Sequence, residues 1–183
     1  MGYLTHEALS LLPFHFQPPK TPYQPLPLST RYTPTIALPW LNLADAVIHQ
    51  PSLSEREREL AVLATLSRTR AAYAIYAHTR LSLAAGLSQS QVSSALSDSN
   101  STPEGLSQSE KAVYEAACCI ADLRGAMGEE EFAGMEMALG GRERVGAVMH
   151  TVASFLYVSV VMNVADVGAP EPRVEKKVQG ELR

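Results

Sequence analysis

An all-α helical bundle is the fold class this sequence predicts, and three observations predict it. Apolar residues recur at helical spacing, as in Leu60, Leu63, Ala64 and Leu66, and no stretch alternates with the period of a strand. Ser54 followed by Glu57, and Ser107 followed by Glu110, have the form of capping boxes that open helices. Gly86 and the pair Gly140-Gly141 stand where helices should stop, because glycine enters the left-handed cap conformation without a Cβ penalty. A length of 183 residues, 46% of them hydrophobic and 19% charged, suits one domain with a proper core.

Residues 1–39 hold eight of the twelve prolines. Proline removes an amide donor and fixes φ, so this stretch is expected as an extended N-terminal arm. Thr5–Leu12 is compatible with a short helix inside it. The arm carries Phe14, Phe16, Tyr23 and Tyr32, with Trp40 at its end, and these are expected to pack over the same subunit or a neighbour. The helical domain is expected over 40–170, and a charged, flexible tail over 171–183. Trp40–Ile48 gives the first helix, ending near Pro51. The Ser54 box opens a second, which breaks near Ser67–Arg70 among β-branched and small polar residues. A third runs from about Ala71 to Ala85 and stops at Gly86. Ser88 caps a short helix through Leu96, and Ser97–Gly105 reads as an exposed loop. Further helices follow from Ser107 to about Arg124, from Gly128 to Leu139 and from Arg142 to about Val167. The acidic start of the Gly128 helix suits its dipole.

Several function classes are disfavoured by composition. The formal charge is -4 and no basic stripe runs along any helix, so nucleic acid is not an expected partner. Met1–Phe16 lacks a positive n-region and carries His6 and Glu7 where a signal peptide is apolar. His6 also breaks the myristoylation pattern that begins at Gly2. Val145–Val164 is the longest apolar run, but His150, Ser154, Ser159 and Asn163 interrupt it. It reads as a buried helix rather than a membrane span. Cys118 and Cys119, the two cysteines, are neighbours that would point about 100° apart on a helix, a poor geometry for a disulfide. They read as small core residues, and a cytoplasmic location follows as the expectation.

Glu59, Tyr73 and His78 are the candidate catalytic residues. Glu59 precedes the break between two helices and His78 follows it, so antiparallel packing would bring carboxylate and imidazole together. A carboxylate that accepts a proton from Nδ1 orients a histidine and raises its basicity, as in a general acid–base. The plainer reading is a solvated first-turn glutamate and a structural histidine. Tyr76, Tyr157, Asn163 and His150 are the candidate substrate-binding residues. Tyr157 and Asn163 would line a pocket near the pair, or else cap helices and bridge subunits. His150 would face the same cavity, or be a buried histidine bonded to a backbone carbonyl. His6, His15 and His49 are scattered without ligand spacing, so no metal is expected. No phosphate loop or dinucleotide fingerprint is present, so no cofactor is expected. Met127, Met135, Met137, Met149 and Met162 read as adaptable core residues.

Arg58-Glu59-Leu60, then Tyr73 and His78, then Gly86-Leu87-Ser88 form an ordered series. It resembles the carboxymuconolactone decarboxylase-like, or alkylhydroperoxidase D-like, family over about Leu43 to Pro170. That family carries an Arg-Glu-Leu helix, a Tyr-Glu-Trp-x-x-His stretch and a Gly-Leu-Ser/Thr helix start. The resemblance implies an alkylhydroperoxidase D-like helical bundle with the Glu59 and His78 helices as its central hairpin. It also implies a homo-oligomer, since relatives form dimers, trimers or hexamers. The departures matter as much. The hydroperoxidase branch uses a Cys-x-x-Cys pair, and those positions fall here on Ala71 and Ala74, whose methyl groups have no redox chemistry. The acid and tryptophan of Tyr-Glu-Trp are replaced by Ala74 and Ile75.

A cofactor-independent, non-redox enzyme acting on a small organic molecule is the resulting expectation. A decarboxylase or other carbon–carbon lyase is the class the family name suggests, with a cyclase or isomerase of specialised metabolism beside it. His78 is expected as general base or acid, Glu59 as its orienting partner, and Tyr73 or Tyr76 as the group that stabilises an enolate. A non-catalytic oligomeric binding protein is the alternative, with an antioxidant peroxidase behind both.

Overall fold

A computed structural model describes residues 34–97, 101–166 and 168–169. Among them are seven helices and no strand: α1 Pro34–His49, α2 Glu55–Thr69, α3 Ala72–Ala84, α4 Gln89–Ala95, α5 Gln108–Asp122, α6 Glu129–Leu139 and α7 Arg142–Val164. The all-α bundle expected from the sequence is the observed fold. The extended arm up to residue 33, with its Thr5–Leu12 helix and four aromatics, and the charged tail 171–183 lie outside the described residues.

The capping boxes set the starts of three helices. Ser54 accepts from the Glu57 amide while the Glu57 carboxylate accepts from the Ser54 amide, and Ser107 with Glu110 repeats the arrangement. Ser88 does the same with Gln91, so the cap expected at Ser88 is a full box. α3 ends at Ala84 and Gly86 follows with φ +92, the left-handed position anticipated for it.

Two local expectations are corrected. The first helix begins at Pro34 rather than Trp40 and carries Pro39 inside it. Proline suits the first helical position, and the carbonyl that loses its partner to Pro39 belongs to exposed Thr35, where water can satisfy it. α2 runs to Thr69 and the chain turns at Arg70, in the left-handed region at φ +56, so the break falls within the stretch where it was expected. Ser67 bonds back to the Ala64 carbonyl at 2.8 Å, which keeps its hydroxyl satisfied within the helix. Pro103, in the loop expected to be exposed, is fully buried.

α2 is the axis of the bundle. Leu60, Ala61, Val62, Leu63, Ala64 and Leu66 are all at or below 1% exposure, so the middle of the helix is buried on every side. It packs against α3, α4, α5 and α7. The main core joins it to Val113, Tyr114 and Ala117 of α5 and to Val148 and Val152 of α7. A smaller cluster, Val62, Leu66, Ala71, Ala74 and Met162, seals the α2–α3 turn against α7. Ala71 and Ala74 therefore fill core space where the hydroperoxidase pattern has sulfur.

α7 is the helix among the described residues long and apolar enough to cross a membrane, and half of its apolar window is buried in the bundle. Its other side exposes Met149, Tyr157, Val160 and Val164. Met149 and Met137 are on the surface, Met137 at 81%, which corrects the reading of both as core residues. Cys118 and Cys119 are free and half-buried against the core. α1 lies along α7, with Trp40 stacked on Tyr157 at a ring separation of 5.6 Å. The indole Nε1 of Trp40 is buried there without a hydrogen-bond acceptor.

The starts of α2, α5 and α7 are tied together by a buried carboxylate. Glu57 Oε1 accepts from Arg144 Nη2 at 2.7 Å and from Ser109 Oγ at 2.6 Å. Arg144 Nη1 also donates to the Ser52 carbonyl at 2.7 Å. Beside this, Arg56 donates to Glu110 at 2.6 Å and to the Gly86 carbonyl.

Candidate active site

Glu59 and His78 face each other across the antiparallel α2–α3 pair. His78 Nδ1 donates to Glu59 Oε2 at 2.9 Å, and both residues are buried, at 5% and 6% exposure. Ser82, one turn beyond His78 and fully buried, donates to the same oxygen at 3.3 Å. The edge of the His78 ring meets Phe155 of α7 at 4.7 Å in a T-shaped contact. The imidazole is thus held by a carboxylate on one side and an aromatic ring on the other.

The pair opens onto a cavity of about 240 Å³. Its wall is built from one face of each flanking helix. Glu55, Arg58, Glu59 and Val62 lie at i, i+3, i+4 and i+7 on α2, and His78 and Leu81 of α3 share a face with Ala85 at its C-cap. Ile48 of α1 and Phe155 of α7 close the sides. The lining is mostly apolar, with its polar atoms gathered on α2 and at His78. Arg58 Nη1 donates to the Ile48 carbonyl at 2.8 Å, which fixes the guanidinium at the α1 side of the cavity.

The other residues singled out from the sequence do not line this cavity. Tyr73 is half-buried in the smaller core cluster, with the Tyr76 ring 6.4 Å away. Burial, and then Tyr76, push its hydroxyl above the usual tyrosine range. Tyr76 accepts at its hydroxyl from Arg80 at 2.8 Å, near the surface. Neither ring is placed to stabilise an enolate beside His78. Tyr157 stacks on Trp40 at the α1–α7 seam. Asn163 Nδ2 donates to the Thr69 carbonyl at 2.7 Å and so caps the end of α2, the structural alternative weighed for it. His150 is exposed, which corrects both readings of it, as a cavity residue and as a buried structural histidine. A turn of α7 that buries Val148 and Val152 carries position 150 to the outside.

Of the cavity wall, only Glu59 and His78 were singled out from the sequence as site residues. Arg58 and Glu55 share the helical face of Glu59, so choosing Glu59 should have brought them along. Ser82 sits one turn after His78 and follows from the same rule. Phe155 had no local signal, since α7 meets α3 only in the folded chain. Among the described residues no group of three or more His, Cys, Asp or Glu side chains is arranged to hold a metal ion. Cys118 and Cys119 lie on α5, outside the cavity wall. Burial pushes both thiols up, and Glu131, which accepts from Cys119 at 3.2 Å, adds to that at Cys119.

No curated protein and no solved structure matches the chain. A family model does match, from residue 34 to residue 117, beginning before Leu43 and ending short of Pro170. That family's name is compatible with a decarboxylase or a peroxidase-like role. The matched segment runs from α1 into α5, carries Arg58, Glu59, Tyr73, His78 and Ser82, and is similar to the carboxymuconolactone decarboxylase family.

Proposed function

We propose that this protein is a cofactor-independent, non-redox enzyme that moves a proton on a small organic molecule. A decarboxylase or other carbon–carbon lyase, or a cyclase or isomerase of specialised metabolism, is the reaction class. One observation carries the reading: a buried carboxylate–imidazole pair at 2.9 Å, opening onto a cavity of about 240 Å³ lined mostly by apolar side chains. Beside such a pair a proton can leave a carbon next to a carbonyl, with the carboxylate and the imidazole holding each other in place. The alanines at the positions of the redox thiols speak against a peroxidase of the family's kind. The enzyme is proposed to work as a cytoplasmic homo-oligomer on a small-molecule substrate, with neither nucleic acid nor membrane as partner.

The test does not need the natural substrate. Small enolisable ketones and lactones are incubated with the protein in deuterated water, and exchange at the carbon beside the carbonyl is followed by NMR. The wild-type chain is expected to accelerate exchange. His78→Phe and Glu59→Gln are each expected to lower the rate by about 10²-fold or more while keeping the fold. Full exchange rates in both folded variants would remove the mechanism. The packed methyls of Ala71 and Ala74 favour a second reading, a non-catalytic binding protein that kept the scaffold after losing its thiols. It requires ligand binding that is indifferent to His78 replacement.

A further inference from the structure

We infer that Arg58 and Glu59, neighbours on α2, divide the chemistry of the cavity between them: Glu59 Oε1 takes the proton and Arg58 receives the negative charge that forms on the substrate. This deepens the proton-transfer reading above and rests on it. It assigns to Glu59 the substrate-facing role expected of His78, and to Arg58 the role expected of Tyr73 or Tyr76.

The two oxygens of Glu59 are not equivalent. Oε2 accepts from both His78 and Ser82. Oε1 accepts from no described residue, and it is not among the buried polar atoms sealed away from solvent. Since Glu59 lines the cavity, Oε1 is the oxygen it presents there. A carboxylate clamped through one oxygen and open at the other is oriented as a base toward a ligand. Ser82 and His78 act here as positioning residues.

Arg58 supplies the opposite charge on the same wall. Arg56, Arg68, Arg142 and Arg144 each have a carboxylate partner, whereas no described carboxylate lies within ion-pair distance of Arg58. One of its N–H groups is used by the Ile48 carbonyl, and that bond aims the guanidinium. A planar fork of further donors is left for the cavity.

The step balances without a co-reactant. A C–H bond beside the substrate carbonyl breaks and an O–H bond forms on Glu59 Oε1. The electron pair moves to the carbonyl oxygen, so the negative charge passes from the carboxylate to an enolate beside Arg58. Where a carbon–carbon double bond is conjugated with the enolate, return of the proton to the far carbon of that dienolate completes a double-bond isomerisation. The ligand class is a small, largely apolar molecule with an enolisable carbonyl, bound most tightly as its enolate once Glu59 is neutral.

A phenolate mimics that enolate, and its binding can be measured without turnover. Binding of 4-nitrophenolate, at a pH where it is ionised, is compared with binding of the neutral 4-nitroanisole. Glu59→Gln imitates the protonated base, so it should bind the phenolate at least about tenfold more tightly than wild type, the share of a charge-assisted hydrogen bond. The ether should bind both alike. Adding Arg58→Gln should erase the gain, and Arg58→Lys, which keeps a cation there, should retain part of it. Circular dichroism establishes that each variant is folded, and Arg58→Lys serves if the glutamine variant is not. Equal phenolate affinity in Glu59→Gln with and without Arg58, or no gain over wild type, overturns the assignment. Loss of exchange in His78→Phe with no Arg58-dependent phenolate binding sinks this inference alone. Exchange that persists in both pair variants sinks the broader reading, whatever the phenolate does.

Discussion

Glu57 makes the sharpest stability prediction. Its side chain is 8% exposed and would be destabilised by burial alone, yet bonds from Arg144, Ser109 and Ser54 outweigh that and hold its pKa at about 2 against an ordinary 4.5. Each pKa unit is worth about 1.4 kcal/mol, so the depressed value corresponds to about 3 kcal/mol of folding stability. Because the folded pKa is the lower one, this contribution is complete above the unfolded value of 4.5 and is lost as pH falls toward 2. Glu57→Gln removes the charge but leaves a residue that still completes the Ser54 capping box. The variant should be about 3 kcal/mol less stable than wild type at neutral pH by urea denaturation. The gap between the two stability curves should then close as pH falls through the same window. Other carboxylates titrate there too, Glu110 beside Arg56 among them, but they act on both proteins and cancel in the difference. Curves that run parallel from neutral pH to the acid limit would refute the argument, since the charge on Glu57 would then contribute nothing.

Two further outcomes follow from local geometry. Gly86→Ala forces a Cβ into a backbone at φ +92, with Arg56 Nη1 3.4 Å from it, and should cost about 1 kcal/mol or more in thermal or chemical denaturation. An unchanged melting temperature would mean the turn relaxes freely. Alkylation of Cys118 and Cys119 at neutral pH should be slower than for a free thiol, because both are pushed up by burial. Replacing both with alanine should leave solvent exchange by the wild-type pair intact, and mass spectrometry together with the NMR assay checks the two halves.

What the sequence made legible was local. The boxes at Ser54 and Ser107 and the stop at Gly86 depend on residues within one turn, and each stands where it was expected. The approach of Glu59 to His78 needed only the antiparallel hairpin between them. The start of α1 was hidden because prolines were counted as breakers, while Pro34 sits at the favoured first position and Pro39 faces solvent. The cavity wall was hidden for a different reason. Phe155 and Ile48 reach His78 and Arg58 through packing between distant helices, and nothing in their own neighbourhoods marks them. His150 and Asn163 were chosen by residue type on a long apolar helix whose rotation about its axis was unknown.

The chain has a single tryptophan, and it lies on the seam by which α1 holds to the rest of the molecule. The same helix contributes Ile48 to the cavity, about two turns further on. Trp40 is therefore a built-in optical reporter: its emission, shielded while the indole is stacked on Tyr157, should shift to the red whenever α1 lifts and unroofs the chamber. Any such movement of α1 can be followed from that signal, with no label attached.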